Sequence, residues 1–213
     1  MFISDRMSRP VITVSPDDSV NEVRAMFRSE HIRRAPVIKK GKLVGVISET
    51  DLINASPSKA TSLSVWETNY LVSKITVGHV MTKKVITVDV DTPIEEAARI
   101  MADNKIGGMP VLNKGRVAGM ITETDLFKVL LELMGARQKA TRVTALVTDK
   151  PGVLADITKA IAASGGNFIS FGVFSGDDVN KKVVTFKVDG INPSEIKKVL
   201  KDVVIKFWDI RTS

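Results

Sequence analysis

Apolar and polar residues in this chain fall into short blocks, and the blocks follow two different plans. Val11-Ile12-Thr13-Val14 is a β-branched run that predicts a strand. Asp17-Asp18-Ser19 then opens a helix whose apolar positions Val20, Val23 and Phe27 share one face. Residues 36–38 and 43–47 read as two strands that turn at Gly41. Gly45-Val46-Ile47-Ser48-Glu49-Thr50-Asp51-Leu52 closes the second of these and starts another helix, so the unit reads β-α-β-β-α.

The same succession returns 74 positions later. Met7-Ser8-Arg9 lies over Met81-Thr82-Lys83, Val11-Ile12-Thr13-Val14 over Val85-Ile86-Thr87-Val88, and Ala35-Pro36-Val37-Ile38 over Met109-Pro110-Val111-Leu112. No gap is needed up to Leu52 and Leu126, which marks an internal duplication. In the second copy Thr92 predicts an N-cap, with Pro93 at N1, Glu95 at N3 and Ile94, Ala97, Ala98 and Met101 as the buried stripe. Residues 110–112 and 116–121 are its later strands, turning at Gly115. Its last helix, residues 125–134, is apolar on more than one side, which predicts that it covers the sheet and also meets another subunit. Between the copies, residues 55–62 form a turn-rich linker and 65–72 a short helix carrying Trp66 and Tyr70.

After Gly135 and a polar hinge the plan changes. Strands are predicted at 142–147, 167–174, 182–188 and 203–210, and helices at 153–164 and 193–201. Leu154, Ile157 and Ile161 line one face of the first helix, and Gly165-Gly166 stops it. This is β-α-β-β-α-β, a ferredoxin-like arrangement. The chain therefore divides into residues 1–54, a linker at 55–76, a second repeat at 77–135, a hinge at 136–140 and a final domain at 141–213. The fold class is mixed, α+β with α/β character.

The duplicated block carries the candidate chemistry. A hydroxyl followed three residues later by an acid, ahead of an apolar run, is a capping box that satisfies the first backbone N–H groups of a helix. It is equally a place where a carboxylate can accept hydrogen bonds from sugar hydroxyls and a helix start can face phosphate. Ser48 with Asp51, and Thr122 with Asp125, stand in that position, and both readings are open. Arg33-Arg34 of the first copy aligns with Gly107-Gly108 of the second. The arginines are expected to face a polyphosphate and the glycines to allow close backbone approach; the alternative is a solvated pair on a loop.

Composition narrows the choices. The net charge is +7, but the basic residues are scattered, and with 5% aromatics a nucleic-acid surface is not expected. There is no Cys, so thiolate metal sites and disulfides are impossible, which suits a cytoplasmic protein. No apolar run is long enough to cross a bilayer, and Asp5, Arg6 and Arg9 leave no secretory leader in the first ten residues. His31 and His79 are far apart and lack partners at metal-ligand spacing. No nucleophile elbow, Walker loop or dinucleotide fingerprint occurs, so neither catalytic residues nor a cofactor are expected.

The repeated Met-Ser/Thr start, the Pro-Val strand, the turn glycine and the Gly-x-x-[Ser/Thr]-x-x-Asp block resemble a tandem pair of CBS domains, the Bateman module. Asp149-Lys150-Pro151-Gly152-Val153-Leu154 and Gly166-Asn167-Phe168-Ile169 resemble an ACT domain. The order of the two is similar to that of the acetoin-utilisation protein B family. The resemblance implies an adenine nucleotide (AMP, ADP or ATP) or S-adenosylmethionine as a regulatory ligand in clefts between the repeats. It places the strand edges Thr13, Ala35 and Pro36 at one site and Thr87, Met109 and Pro110 at the other, bordering the base, with Arg34, Ser48, Asp51, Gly108, Thr122 and Asp125 as the further nucleotide contacts. For the ACT domain it implies a homodimer contact or an amino acid held by Asp149, Gly152, Val153, Leu154, Asn167 and Ile169. A non-catalytic sensor is the leading expectation and a structural adaptor with empty clefts the alternative.

Overall fold

The computed structural model describes residues 1–55, 74–176 and 178–212. The short helix expected at 65–72, and most of the linker, lie outside the described residues. The chain forms two compact units, Met1–Leu126 and Phe127–Ser213.

In the first unit, Ser19 is in extended backbone and accepts the Asn21 N–H at 3.2 Å, while Glu22 accepts the Ser19 N–H at 3.3 Å. That reciprocal cap starts α1 (Val20–Ser29), which buries Val20, Val23 and Phe27. Strands β1 (Arg34–Lys39) and β2 (Lys42–Ser48) pair antiparallel, and α2 (Glu49–Asn54) follows directly. The second copy contributes α3 (Val77–Val80), β3 (Val88–Asp89), α4 (Ile94–Asn104), β4 (Gly108–Asn113), β5 (Arg116–Thr122) and α5 (Glu123–Leu133). The two hairpins share one register: Pro36 pairs Val46 as Pro110 pairs Met120.

Two local expectations are corrected. The strand expected at 11–14 is reduced to a bridge between Val14 and Val37, and its counterpart is only Val88–Asp89. Only the end of each extended segment reaches the parallel neighbour; Val14 donates to Pro36 O and accepts from Ile38 N. Helix α4 starts one residue later than predicted, with Pro93 in the cap position in extended backbone. The Thr92 hydroxyl is engaged by the Asp89 N–H at 3.2 Å, which closes a turn instead of capping the helix.

The repeats are interlaced. Ile3 and Met7, from the start of the chain, belong to the core of Val88, Ala97, Met101, Met109, Val111 and Ile121 in the second copy. Their counterparts Val77 and Met81 pack with the core of Val14, Val23, Phe27, Val37, Ile47 and Leu52 in the first. Backbone bonds fix the exchange: Ser8 pairs with Met120 at 2.9 and 3.3 Å, and Thr82 with Val46 at 2.9 and 3.0 Å. A Cβ on Gly119 would collide with Met7 Sδ, and one on Gly45 with Met81 Sδ, so both glycines are required for the close approach. The boundaries drawn at 54 and 77 therefore do not separate two independently packed cores.

The second unit follows the predicted plan. Its strands are β6 (Thr141–Thr148), β7 (Asn167–Ser175), β8 (Lys181–Asp189) and β9 (Val204–Thr212), and its helices α6 (Val153–Ala163) and α7 (Pro193–Val199). The sheet order is β7-β8-β6-β9, with every neighbour antiparallel. Val143, Ala145 and Val147 alternate inward to meet Ile157, Ile161, Phe186, Ile196 and Leu200. The segment read as a hinge is held against this sheet: buried Lys187 donates from Nζ to Gly135 O at 3.2 Å and Gln138 O at 3.0 Å.

Ile157 is fully buried in the centre of this core. Ile157→Ala is expected to destabilise the protein by about 2–5 kcal/mol, through lost burial and an unfilled cavity, measured as a lower urea midpoint.

Candidate functional site

Both copies of the repeated block fold into the same turn. Asp51 Oδ2 accepts the Ser48 backbone N–H at 2.8 Å and the Ser48 hydroxyl at 2.6 Å. Asp125 Oδ2 accepts the Thr122 N–H at 3.0 Å and the Thr122 hydroxyl at 2.7 Å. The Ser48 hydroxyl in turn accepts the Asp51 N–H at 3.3 Å. The carboxylate half of the capping geometry is thus present in both. The surroundings differ: Asp125 is 6% exposed, whereas Asp51 lines an open cleft. Among the described residues, Asp51 Oδ1 has no hydrogen-bond partner.

The cleft lies within the first unit and encloses about 250 Å³, near the lower end of the ~300–1,000 Å³ usual for small-molecule sites. One wall is Arg34, Val46, Ser48 and Asp51 from the first copy. The other is the segment after the exchanged Met81, namely Thr82, Lys84, Val85 and Ile86. The floor and rim are Lys105, Ile106, Gly107, Gly108 and Pro110. Three cations, Arg34, Lys84 and Lys105, surround a single carboxylate, that of Asp51. Lys84 and Lys105 are exposed and have no ion-pair partner among the described residues. The cleft is therefore electropositive around a helix start, a setting that favours an anion.

Arg34 reaches across the module to the aligned position in the other copy. Its Nη1 donates to Gly107 O, and it lies beside the Glu123 carboxylate. Burial pushes its guanidinium below the ordinary value, Glu123 offsets part of that, and Arg33 adds to it. A Cβ on Gly107 would fall 2.6 Å from Arg34 Nη2 and 2.9 Å from Glu123 Oε2. The glycines expected to allow close backbone approach admit this arginine side chain. Arg34 is also half-buried at the start of β1, so a solvated loop pair does not describe it.

Of the residues expected at nucleotide sites, Arg34, Ser48, Asp51, Gly108 and Pro110 meet in one cleft. Thr13, Ala35, Pro36, Thr87, Met109, Thr122 and Asp125 do not line it. Ala35 and Met109 are buried in the hairpin cores, and Thr13 is exposed in the extended lead-in to Val14. Ser48 and Asp51 share their cleft with Gly108 and Pro110 of the opposite copy. Thr82, Lys84 and Lys105 were missed. The signal in the sequence for Thr82 and Lys84 is the Met81-Thr82 start of the second copy; Lys105 carries none.

In the second unit, Gly152 starts α6 with φ +91°, as a tight turn demands. Val153 lines a groove of about 160 Å³ with Thr148, Lys150, Asp156 and residues 202–205. The other expected ligands do not join it. Asp149 pairs with Lys182 at 3.3 Å, and Leu154 is 41% exposed. Ile169 is bulged out of register and sits against Gly135. Asn167 pairs with Asp189 at one end of β8 while Thr148 pairs with Lys181 at the other. At ~3.3 Å per residue that separates Asn167 from the Gly152 turn by roughly 25 Å within one chain.

Comparison with known proteins agrees with this architecture. Residues 3–58 and 77–132 match the CBS domain model, and residues 141–204 match the ACT domain model. Protein MJ1426 of Methanocaldococcus jannaschii is 33% identical over 157 residues, covering 62% of this chain and 92% of that protein. Longer relatives are spanned only in part, two of them over 46% and 31% of their length. The CBS pair of protein MJ0100, solved with 5'-methylthioadenosine and S-adenosyl-L-methionine, is 28% identical with a TM-score of 0.52, covering 65% of this chain and 98% of that one. CBSX2 in complex with AMP is 29% identical with a TM-score of 0.52, covering 62% and 97%. A Vibrio cholerae protein assigned to acetoin utilization, AcuB, is 25% identical with a TM-score of 0.53, covering 64% and 95%. The duplicated plan of the first unit coincides with the two CBS matches and the ferredoxin-like sheet of the second with the ACT match, and the chain belongs to the CBS-domain family, as a tandem CBS pair followed by an ACT domain.

Proposed function

We propose that this chain is a non-catalytic regulatory protein that binds a phosphate-bearing adenine nucleotide in the cleft beside Asp51. The observation that carries this is one carboxylate oxygen without a hydrogen-bond partner among the described residues, next to a helix start, with three cations around the same opening. Relatives of the same fold support the ligand class, since MJ0100 and CBSX2 were solved with adenosine compounds.

Each wall has a task in this reading. Asp51 Oδ1 accepts the ribose hydroxyls, in charge-assisted bonds of about 1.5–3 kcal/mol each. Gly108, Pro110 and Ile106 border the base. Arg34, Lys84 and Lys105 face the phosphates. S-Adenosylmethionine carries a sulfonium cation where a nucleotide carries anionic oxygen, so this cleft ranks ATP and AMP above it. Regulation requires that the nucleotide bind two arrangements of the module with different affinity, which a partner then reads.

The ACT domain serves in this reading to pair two copies, or to hold an amino acid at a contact between copies, because one chain leaves Gly152 and Asn167 at opposite sheet ends. A homodimer would also cover the exposed Phe127 and Leu133 of α5. A cytoplasmic setting, which the Cys-free composition suits, and a link to acetoin utilisation, supported by the likeness to the Vibrio cholerae protein, belong to the same proposal. No helix among the described residues is long and apolar enough to cross a membrane. The competing reading is a constitutive adaptor, favoured by the fact that Ser48 and Asp51 Oδ2 already satisfy one another.

Calorimetric titration with AMP, ATP and S-adenosylmethionine separates the two. The sensor gives heat with AMP and ATP and weaker binding of S-adenosylmethionine; the adaptor gives none. Asp51→Ala is expected to weaken AMP binding by about tenfold or more. Charge reversal by Arg34→Glu or Lys105→Glu is expected to weaken ATP far more than adenosine, and equal affinities for ATP in wild type and both variants would remove the phosphate assignment.

A further inference from the structure

The repeat makes every feature of the Asp51 cleft predictable at a second place, 74 positions along. Ser48 and Asp51 map to Thr122 and Asp125, and Gly107-Gly108 map back to Arg33-Arg34. The backbone respects this symmetry. Glu49 N donates to Arg33 O at 2.8 Å, and Glu123 N donates to Gly107 O at 3.2 Å. The side chains break it. Position 107 has none, so nothing from it extends over the turn that holds Ser48 and Asp51. Arg33, its counterpart, extends from the first copy and donates from Nη2 to Thr124 Oγ1 at 3.3 Å. Arg34 lies beside Glu123 at the same helix start. The acid below them, Asp125, is 6% exposed, while its counterpart Asp51 opens on the cleft. Val46 is half-buried where Met120, its larger counterpart, is 5% exposed.

We infer that the CBS pair takes one nucleotide per chain, in the Asp51 cleft alone, because Arg33 occupies the mouth of the symmetry-related turn as an internal substitute for a ligand. This rests on the nucleotide reading above. Arg33 offers its guanidinium to Thr124, and a second nucleotide would have to displace that contact and uncover Asp125.

The test is binding stoichiometry on the full chain, by calorimetry and by equilibrium dialysis with labelled ATP. The expected result is one site per chain, lost in Asp51→Ala and retained in Asp125→Asn with affinity within about twofold. Arg33→Gly, which gives the first copy the residue found in the second, is expected to open a second site that Asp125→Asn then removes. Arg33 is exposed, so the gain of a second site in Arg33→Gly is read even where Asp125→Asn impairs folding, and a single site in Arg33→Gly overturns the inference. Two sites in the wild type, or binding that survives Asp51→Ala and fails in Asp125→Asn, overturns the inference and leaves the nucleotide reading intact. No binding of AMP, ADP or ATP overturns both.

Discussion

The first unit depends on a pair of reciprocal backbone contacts. Ser8 with Met120, and Thr82 with Val46, tie the leading segment of each repeat to the last strand of the other. Met7 and Met81 fill the space beside Gly119 and Gly45, where any larger residue would push them out. A single repeat would expose the groove that its partner's leading segment fills, so burial of apolar surface in each half requires the other. This is the coupling that gives the cleft its walls. Ser48 and Asp51 arrive on the end of β2, and Thr82 to Ile86 arrive as the continuation of the segment bonded to that same strand. A change in the fit of the exchanged segment therefore alters the width of the cleft directly.

Duplication produces two equivalent places, and substitution has made them unequal. The difference is concentrated at the dyad, where two arginines face two glycines. A guanidinium is always charged and brings five donors in a rigid plane, so placing it in a half-buried position demands acceptors. Gly107 supplies a carbonyl and room, and Glu123 supplies opposite charge. Two arginine pairs facing one another would set four like charges within one small volume. Two glycine pairs would leave the dyad unfilled and both turns open. The mixed arrangement satisfies packing and charge together, and it makes the module directional.

Much of the architecture was legible because it is periodic. The alternation of Val143, Ala145 and Val147, the spacing of Val20, Val23 and Phe27, and the positive-φ turn at Gly152 each follow from local rules. The cap at Ser19 was legible for the same reason, while the cap at Thr92 was not: its hydroxyl had a competing use in the preceding turn. The exchange of leading segments left no local trace. Ile3 and Val77 look like ordinary apolar residues before a strand, and only three dimensions show which core each one enters. The same exchange explains the incomplete site. A cleft between the copies was expected, but the cleft of Asp51 takes its second wall from residues 82–86, far along the sequence and brought there by the exchanged segment. For the ACT residues, sequence proximity is not spatial proximity: Asp149 and Asn167 flank one helix in sequence yet lie at opposite ends of a strand within one chain.

The capping box and the ligand site need not compete for Asp51. A carboxylate has two oxygens and about four acceptor positions. Oδ2 takes the Ser48 N–H and hydroxyl, which orients the carboxylate and fixes its rotamer before anything binds. Oδ1 has no hydrogen-bond partner among the described residues. A side chain already immobilised loses little conformational entropy when it accepts a further bond, so the local cap pre-organises the group for recognition. The same bonds explain why the motif alone is ambiguous, since a helix start needs them whether or not a ligand follows. What distinguishes the two copies is therefore not the motif but what stands over it: an open wall at position 107 in one case, and an arginine at position 33 in the other.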